Sequence, residues 1–183
     1  RHPPGDRRAG LHHRRADHPG RSAALAAGKT RYTAARGIPE LREAIAGFYD
    51  QRYGVEIDPR RILVTPGGSG ALLLASALLV DPGKHWLLAD PGYPCNRHFL
   101  RLVEGAAQLV PVGPEVRYQL TPDLVNRHWD QDSVGALVAS PANPTGTILT
   151  RDELAGLSKA IKGHNGHLVV DEIYHGLTYG TDA

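Results

Sequence analysis

The chain has 183 residues, of which 41% are apolar and 22% charged, enough for one hydrophobic core of ordinary soluble character. A formal charge of +2 is too small to argue for nucleic acid or an anionic membrane as partner, and a single cysteine, Cys95, excludes an internal disulfide. No apolar run approaches the roughly 20 residues that span a bilayer and the first residues lack the apolar centre of an export signal, so a cytoplasmic location is expected.

Residues 1–21 consist almost wholly of Arg, His, Pro, Gly, Asp and Ala, with Leu11 the only large aliphatic side chain. Such a stretch cannot bury enough apolar surface to offset its ordering entropy, and the expectation is a disordered or non-native tail ahead of a folded part over 22–183. Leu41, Ala44, Ile45 and Phe48 then recur at helical spacing, which predicts a helix over residues 39–53 with Pro39 in its first turn. The run RILVT predicts a strand over 61–65, and ALLLASALL a buried helix over 71–79. Four more apolar runs predict strands over 85–89, 108–112, 135–139 and 167–171. Between the last three lie helical patterns over 122–129 and 151–162, the second opened by Thr150 as N-cap. Apolar strands alternating with helices predict an α/β fold, a mostly parallel sheet covered on both faces in three α/β/α layers.

In such a sheet ligands bind beyond the carboxyl ends of the strands, so the residues that follow each strand carry the functional signal. After RILVT comes Pro66-Gly67-Gly68-Ser69-Gly70, where glycines let the backbone approach an anion and free helix-start amides point at it, although a bare turn uses the same residues. After HWLLA comes Asp90-Pro91-Gly92-Tyr93-Pro94, whose flanking prolines fix a ring that either stacks on a planar ligand or covers the core edge. The segment Ser140-Pro141-Ala142-Asn143-Pro144-Thr145-Gly146 is a rigid connection that aims the Asn143 amide. Asp171, at the end of a buried strand, calls for a positive partner, either an arginine or the protonated ring nitrogen of a ligand that Tyr174 also reaches.

Taken together, Tyr32 with Gly37-Ile38-Pro39-Glu40-Leu41-Arg42, the glycine turn, DPGYP, SPANPTG and VVDEIY resemble the class I/II aminotransferases, fold-type I pyridoxal-phosphate (PLP) enzymes, from about residue 28 to 179. The resemblance implies that the chain is part of that family's large domain and that the cofactor is pyridoxal 5′-phosphate. It implies that Gly68, Ser69 and Gly70 hold the phosphate, Tyr93 stacks on the ring, and Asn143 and Tyr174 bond its phenolic oxygen. Asp171 is then the partner of the ring nitrogen, and Tyr32 reaches the phosphate of a neighbouring subunit in a homodimer. The implied reaction is amino-group transfer between an amino acid and a 2-oxo acid. Other fold-type I chemistry such as carbon–sulfur lysis or cyclopropane-carboxylate synthesis, and an inactive PLP-binding or regulatory fragment, use the same cradle.

The family also needs a Schiff-base lysine after the aspartate–tyrosine strand. The lysines here are Lys29, Lys84, Lys159 and Lys162, all before Asp171. The chain as written is therefore expected to be catalytically incomplete, with no catalytic residue of its own. Cys95, Trp86 and the histidines are read as structural or solvent-facing, and no metal ligand set is expected.

Overall fold

A computed structural model describes residues 17–179; the expected tail therefore lies outside the described residues as far as residue 16, while 17–21 fall within the first helix, Asp17–Ala26 (α1). The chain divides into two compact units, residues 1–63 and 64–183. In the first, α2 spans Pro39–Tyr53, the range the apolar spacing predicts. Pro39 occupies its first turn, and Gly54 ends it at φ 65, where the chain needs the left-handed conformation and glycine adopts it without strain. Phe48 packs edge-on against Tyr49 and Tyr53 at one end of this helix, and the two tyrosines are tilted to each other, with ring centroids 5.7–5.9 Å apart.

The strand expected over 61–65 does not form. Asp58 accepts the Arg60 amide, and Pro59–Arg61 wind into a short 3₁₀ turn instead. Ile62 is extended, at φ −99 and ψ 127, but no ladder joins it to a neighbour among the described residues, and an extended run without a partner is not a strand.

The second unit holds a four-stranded, fully parallel sheet in the order β2-β1-β3-β4. Its strands are His85–Asp90 (β1), Ala106–Pro111 (β2), Ser133–Ala139 (β3) and His167–Asp171 (β4), each within two residues of the sequence expectation. The helices are Gly67–Leu79 (α3), Asn96–Leu102 (α4), Pro122–His128 (α5) and Arg151–Gly163 (α6); α4 was not anticipated. Alternate side chains of the strands enter two cores. Leu87, Val110, Ala136 and Val138 pack with Val125 of α5 and with Leu157 and Ile161 of α6. Trp86, Leu88 and Leu137 pack on the other face with Leu72 of α3 and Leu100 of α4. The result is the expected α/β/α sandwich, and each fully buried aliphatic side chain contributes about 1.5–3 kcal/mol to it.

Two details depart from the sequence reading. The helix expected to be buried over 71–79 starts four residues earlier, and only Leu72 and Ser76 of it are buried, with Leu74 54% and Leu78 81% exposed. Its apolar content is nearly uniform around the axis, so composition could not say which face is covered. Gly135 is demanded by the core, because a Cβ there would lie 2.4 Å from the His167 carbonyl and 2.8 Å from the Trp86 indole nitrogen.

Candidate functional site at the carboxyl ends of the strands

All four strands run the same way, so the turns after β1, β3 and β4 reach one edge of the sheet. The neighbours of β1 are β2 on one side and β3 on the other, which makes the gap between the β1 and β3 tips the topological switch point where a crevice opens. A cavity of about 150 Å³ lies at this edge, lined by Gly68, Ser69, Leu72, Tyr93, Ala139, Pro141, Asn143, Asp171, Ile173 and Tyr174. Six residues singled out from the sequence thus meet: Gly68, Ser69, Tyr93, Asn143, Asp171 and Tyr174. Gly70 sits one turn into α3 and does not line the cavity. Tyr32 is fully exposed within the first unit.

The glycine turn is built for tight packing as well as for access. Gly67 has φ 77 and its amide donates back to Thr65 O at 2.8 Å, closing the turn that starts α3. A Cβ on Gly70 would press within 3.3 Å of both Pro66 and Thr65, so this glycine serves the turn itself. A Cβ on Gly68 would instead extend toward Ile173, reaching 3.9 Å from its Cδ1 in the cavity wall. The next amides, of Gly68 and Ser69, belong to the first turn of a 13-residue helix, where they have no intrahelical acceptor, which suits an anion.

Asp171 closes the opposite wall. Its Oδ1 accepts the Ile173 amide at 3.1 Å, and its carbonyl accepts the Ser140 amide at 3.0 Å. No cationic side chain pairs with the carboxylate among the described residues. The Tyr93 hydroxyl is pushed above the ordinary tyrosine range, first by the neighbouring Cys95 side chain, then by burial and by Tyr174 and Asp171. Tyr93 is one of the residues that wall the cavity.

The Asn143 segment is held from several sides. Ala142 N donates to Thr147 O at 2.9 Å and Gly146 N to Ala142 O at 2.7 Å, while Ser140 Oγ accepts the Leu149 amide at 2.9 Å. Cis peptides precede Pro91, Pro141 and Pro144. A further residue, absent from the sequence reading, reaches the same segment: Gln119, only 4% exposed, donates from Nε2 to Ala139 O at 3.1 Å and to Thr147 O and Oγ1, each at 3.2 Å. The available signal was an amide between Tyr118 and Leu120 just before a helix start, which does not say what it bonds. The described residues contain no cluster that could hold a metal, and no helix long and apolar enough to cross a membrane.

Comparison with known proteins shows the family and the fold. The family model described as aminotransferase class I and II matches residues 12–183. A valine–pyruvate aminotransferase of Mycobacterium tuberculosis is 40% identical over 158 residues, 86% of this chain and 40% of its own. An aspartate/prephenate aminotransferase of Thermus thermophilus is 35% identical over 85% of this chain and 40% of its own. Among solved structures, an aminotransferase from Mycobacterium tuberculosis superposes with a TM-score of 0.84 at 39% identity, over 89% of this chain and 44% of that one. The chain thus spans about two fifths of the length of the curated relatives it matches.

Proposed function

Because the chain belongs to the aminotransferase class I and II family, we propose that the cavity at the strand tips is a pyridoxal 5′-phosphate site, and that the activity of the lineage is amino-group transfer between an amino acid and a 2-oxo acid. One observation carries the reading: a single cavity collects helix-start residues, an aromatic ring, an amide side chain and a carboxylate that no cationic side chain pairs among the described residues. An anion at one end and a cationic ring nitrogen at the other satisfy both ends of that set, which neither a metal nor an apolar ligand would.

In this reading the amides of Gly68 and Ser69, with the Ser69 hydroxyl and Gly70, hold the phosphate. The Asp171 carboxylate keeps a proton on the ring nitrogen, Asn143 and Tyr174 bond the phenolic oxygen, and Tyr93 limits tilt of the ring. Tyr32 serves the phosphate of a second subunit, so the working unit is a homodimer. Residues 22–183 form part of a PLP-binding large domain in the cytoplasm. When bound, the cofactor supplies an electron sink for the charge left when a substrate loses its α-proton. The names of the relatives, valine–pyruvate and aspartate/prephenate aminotransferases, favour a common amino acid as donor. A second reading, another chemistry on the same cradle, is favoured by one match: 1-aminocyclopropane-1-carboxylate synthase 2 of tomato, Solanum lycopersicum, is 34% identical over 79% of this chain.

The test is a calorimetric titration of the chain with pyridoxine 5′-phosphate, which lacks the aldehyde and so cannot react with surface lysines. Saturable one-to-one binding is expected, weakened more than about tenfold by Asp171→Ala, since a charged hydrogen-bonded contact contributes about 1.5–3 kcal/mol. Absence of saturable binding to the unsubstituted chain would end the proposal.

A further inference from the structure

We infer that Gln119 is a positioning residue for the strand-tip cavity: its buried amide fills the hydrogen-bonding gap where β3 parts from β1 and thereby holds the Asn143 segment in place. The inference rests on the reading of that cavity as a cofactor site. In a parallel strand successive residues direct their backbone N–H and C=O to alternate sides. The Ser140 amide donates to Asp171 O on the β4 side, so the Ala139 carbonyl faces β1. There the ladder has already ended, since β1 and β3 are paired only as far as Leu88 with Leu137. Ala139 O is thus left at the switch point without a strand partner, and the Gln119 Nε2 supplies one at 3.1 Å.

The same Nε2 reaches Thr147 O and Oγ1 at 3.2 Å. Thr147 O is also the acceptor of the Ala142 amide, and Ala142 precedes Asn143. Gln119 therefore clamps both ends of the segment, where it leaves β3 and where it returns, and Asn143 lies between the two anchor points. Being 4% exposed, the amide is shielded from the solvent that would otherwise compete for these carbonyls. Gln119 does not line the 150 Å³ cavity but borders a smaller adjoining crevice with Tyr93, Ala139 and Asn143, so exchange at the segment amides, and not affinity alone, reads its positioning role.

The experiment is Gln119→Met, which keeps the length and apolar stem but removes the donor, read by amide hydrogen exchange and by titration with pyridoxine 5′-phosphate. The Ala142 and Gly146 amides should exchange about five- to tenfold faster and the ligand should bind about fivefold more weakly, the effect of losing one net hydrogen bond. The Gly166 amide, bonded to Ile161 O at the far edge, should be unchanged. Unchanged exchange at Ala142 and Gly146, equal acceleration at Gly166, or local acceleration without loss of affinity each overturns the inference. If the unsubstituted chain does not bind the probe, the cofactor reading fails by itself, and the positioning role toward it falls with that reading. Thr147→Val, which removes one Gln119 acceptor and with it the Thr145–Thr147 hydroxyl contact, should move the same amides in the same direction by less, while Thr145→Val, which removes only that contact, should leave them unchanged; the pair decides the matter should Gln119→Met not fold, and equal acceleration in both overturns the inference.

Discussion

At the level of single residues, the most informative contrast is between a side chain's ring and its polar end. Tyr93 presents both, and its hydroxyl is held above its ordinary range beside Cys95. Tyr93→Phe should therefore leave the affinity for pyridoxine 5′-phosphate within about twofold, while Tyr93→Ala should lower it about three- to tenfold, the loss of an aromatic stack of about 0.5–1.5 kcal/mol. Equal losses in both variants, measured by the same titration, would mean that the hydroxyl and not the ring contacts the ligand. Asp171, Asn143, Tyr93 and Tyr174 were legible in the sequence because each follows a recognisable apolar strand in a stiff or charged tip. Gln119 was not, because a buried amide declares itself only through the carbonyls it meets, and these lie 20 and 28 residues away.

Secondary-structure elements were legible where their signal is local and lost where it is shared. Thr150 shows the first case. Its hydroxyl accepts the Glu153 amide and the Glu153 carboxylate reaches back to the Thr150 amide at 2.8 Å, a complete capping box at the start of α6. Thr150→Ala should destabilise the fold by about 1 kcal/mol in denaturant titration. Glu153 adds a pH dependence, because the Thr150 amide first, and then the Arg117 guanidinium that pairs with it, hold its carboxyl below the usual glutamate range. A carboxylate depressed in the folded state stabilises above its unfolded value and loses that contribution as pH falls through the folded one. The stability advantage of the natural chain over Glu153→Gln should thus be present at neutral pH and vanish in acid; a difference that grows on acidification would contradict the assignment. The segment 61–65 shows the second case. Its apolar, β-branched residues satisfy the strand pattern, but whether a ladder forms depends on a neighbour that local sequence does not encode, and the Asp58 cap drew Arg61 into a turn instead. Helix α4 escaped notice because its seven residues, NRHFLRL, are too few to establish a period.

For the molecule as a whole, the direction of the sheet decides what chemistry the second unit can carry out with its own side chains. Its lysines are Lys84, Lys159 and Lys162. Lys84 immediately precedes β1, and a strand of six residues puts it about 20 Å from the carboxyl edge where the cavity lies. There it bonds Asp132 at 2.8 Å, which raises its pKa above the ordinary lysine value and keeps it a cation with no free lone pair. Helix α6 starts from the Asn143 segment and leads to the beginning of β4, so Lys159 and Lys162, toward its end, are carried to that same far edge. None of these three amines of the second unit is therefore placed to take up a carbonyl held at the strand tips. Treatment with pyridoxal 5′-phosphate followed by borohydride and peptide mass mapping should yield only partial adducts, spread over several lysines and insensitive to excess pyridoxine 5′-phosphate. One adduct per chain on a single lysine, blocked by that competitor, would show that an amine does reach the cavity, and the separation of binding from covalent chemistry argued from the strand direction would be wrong.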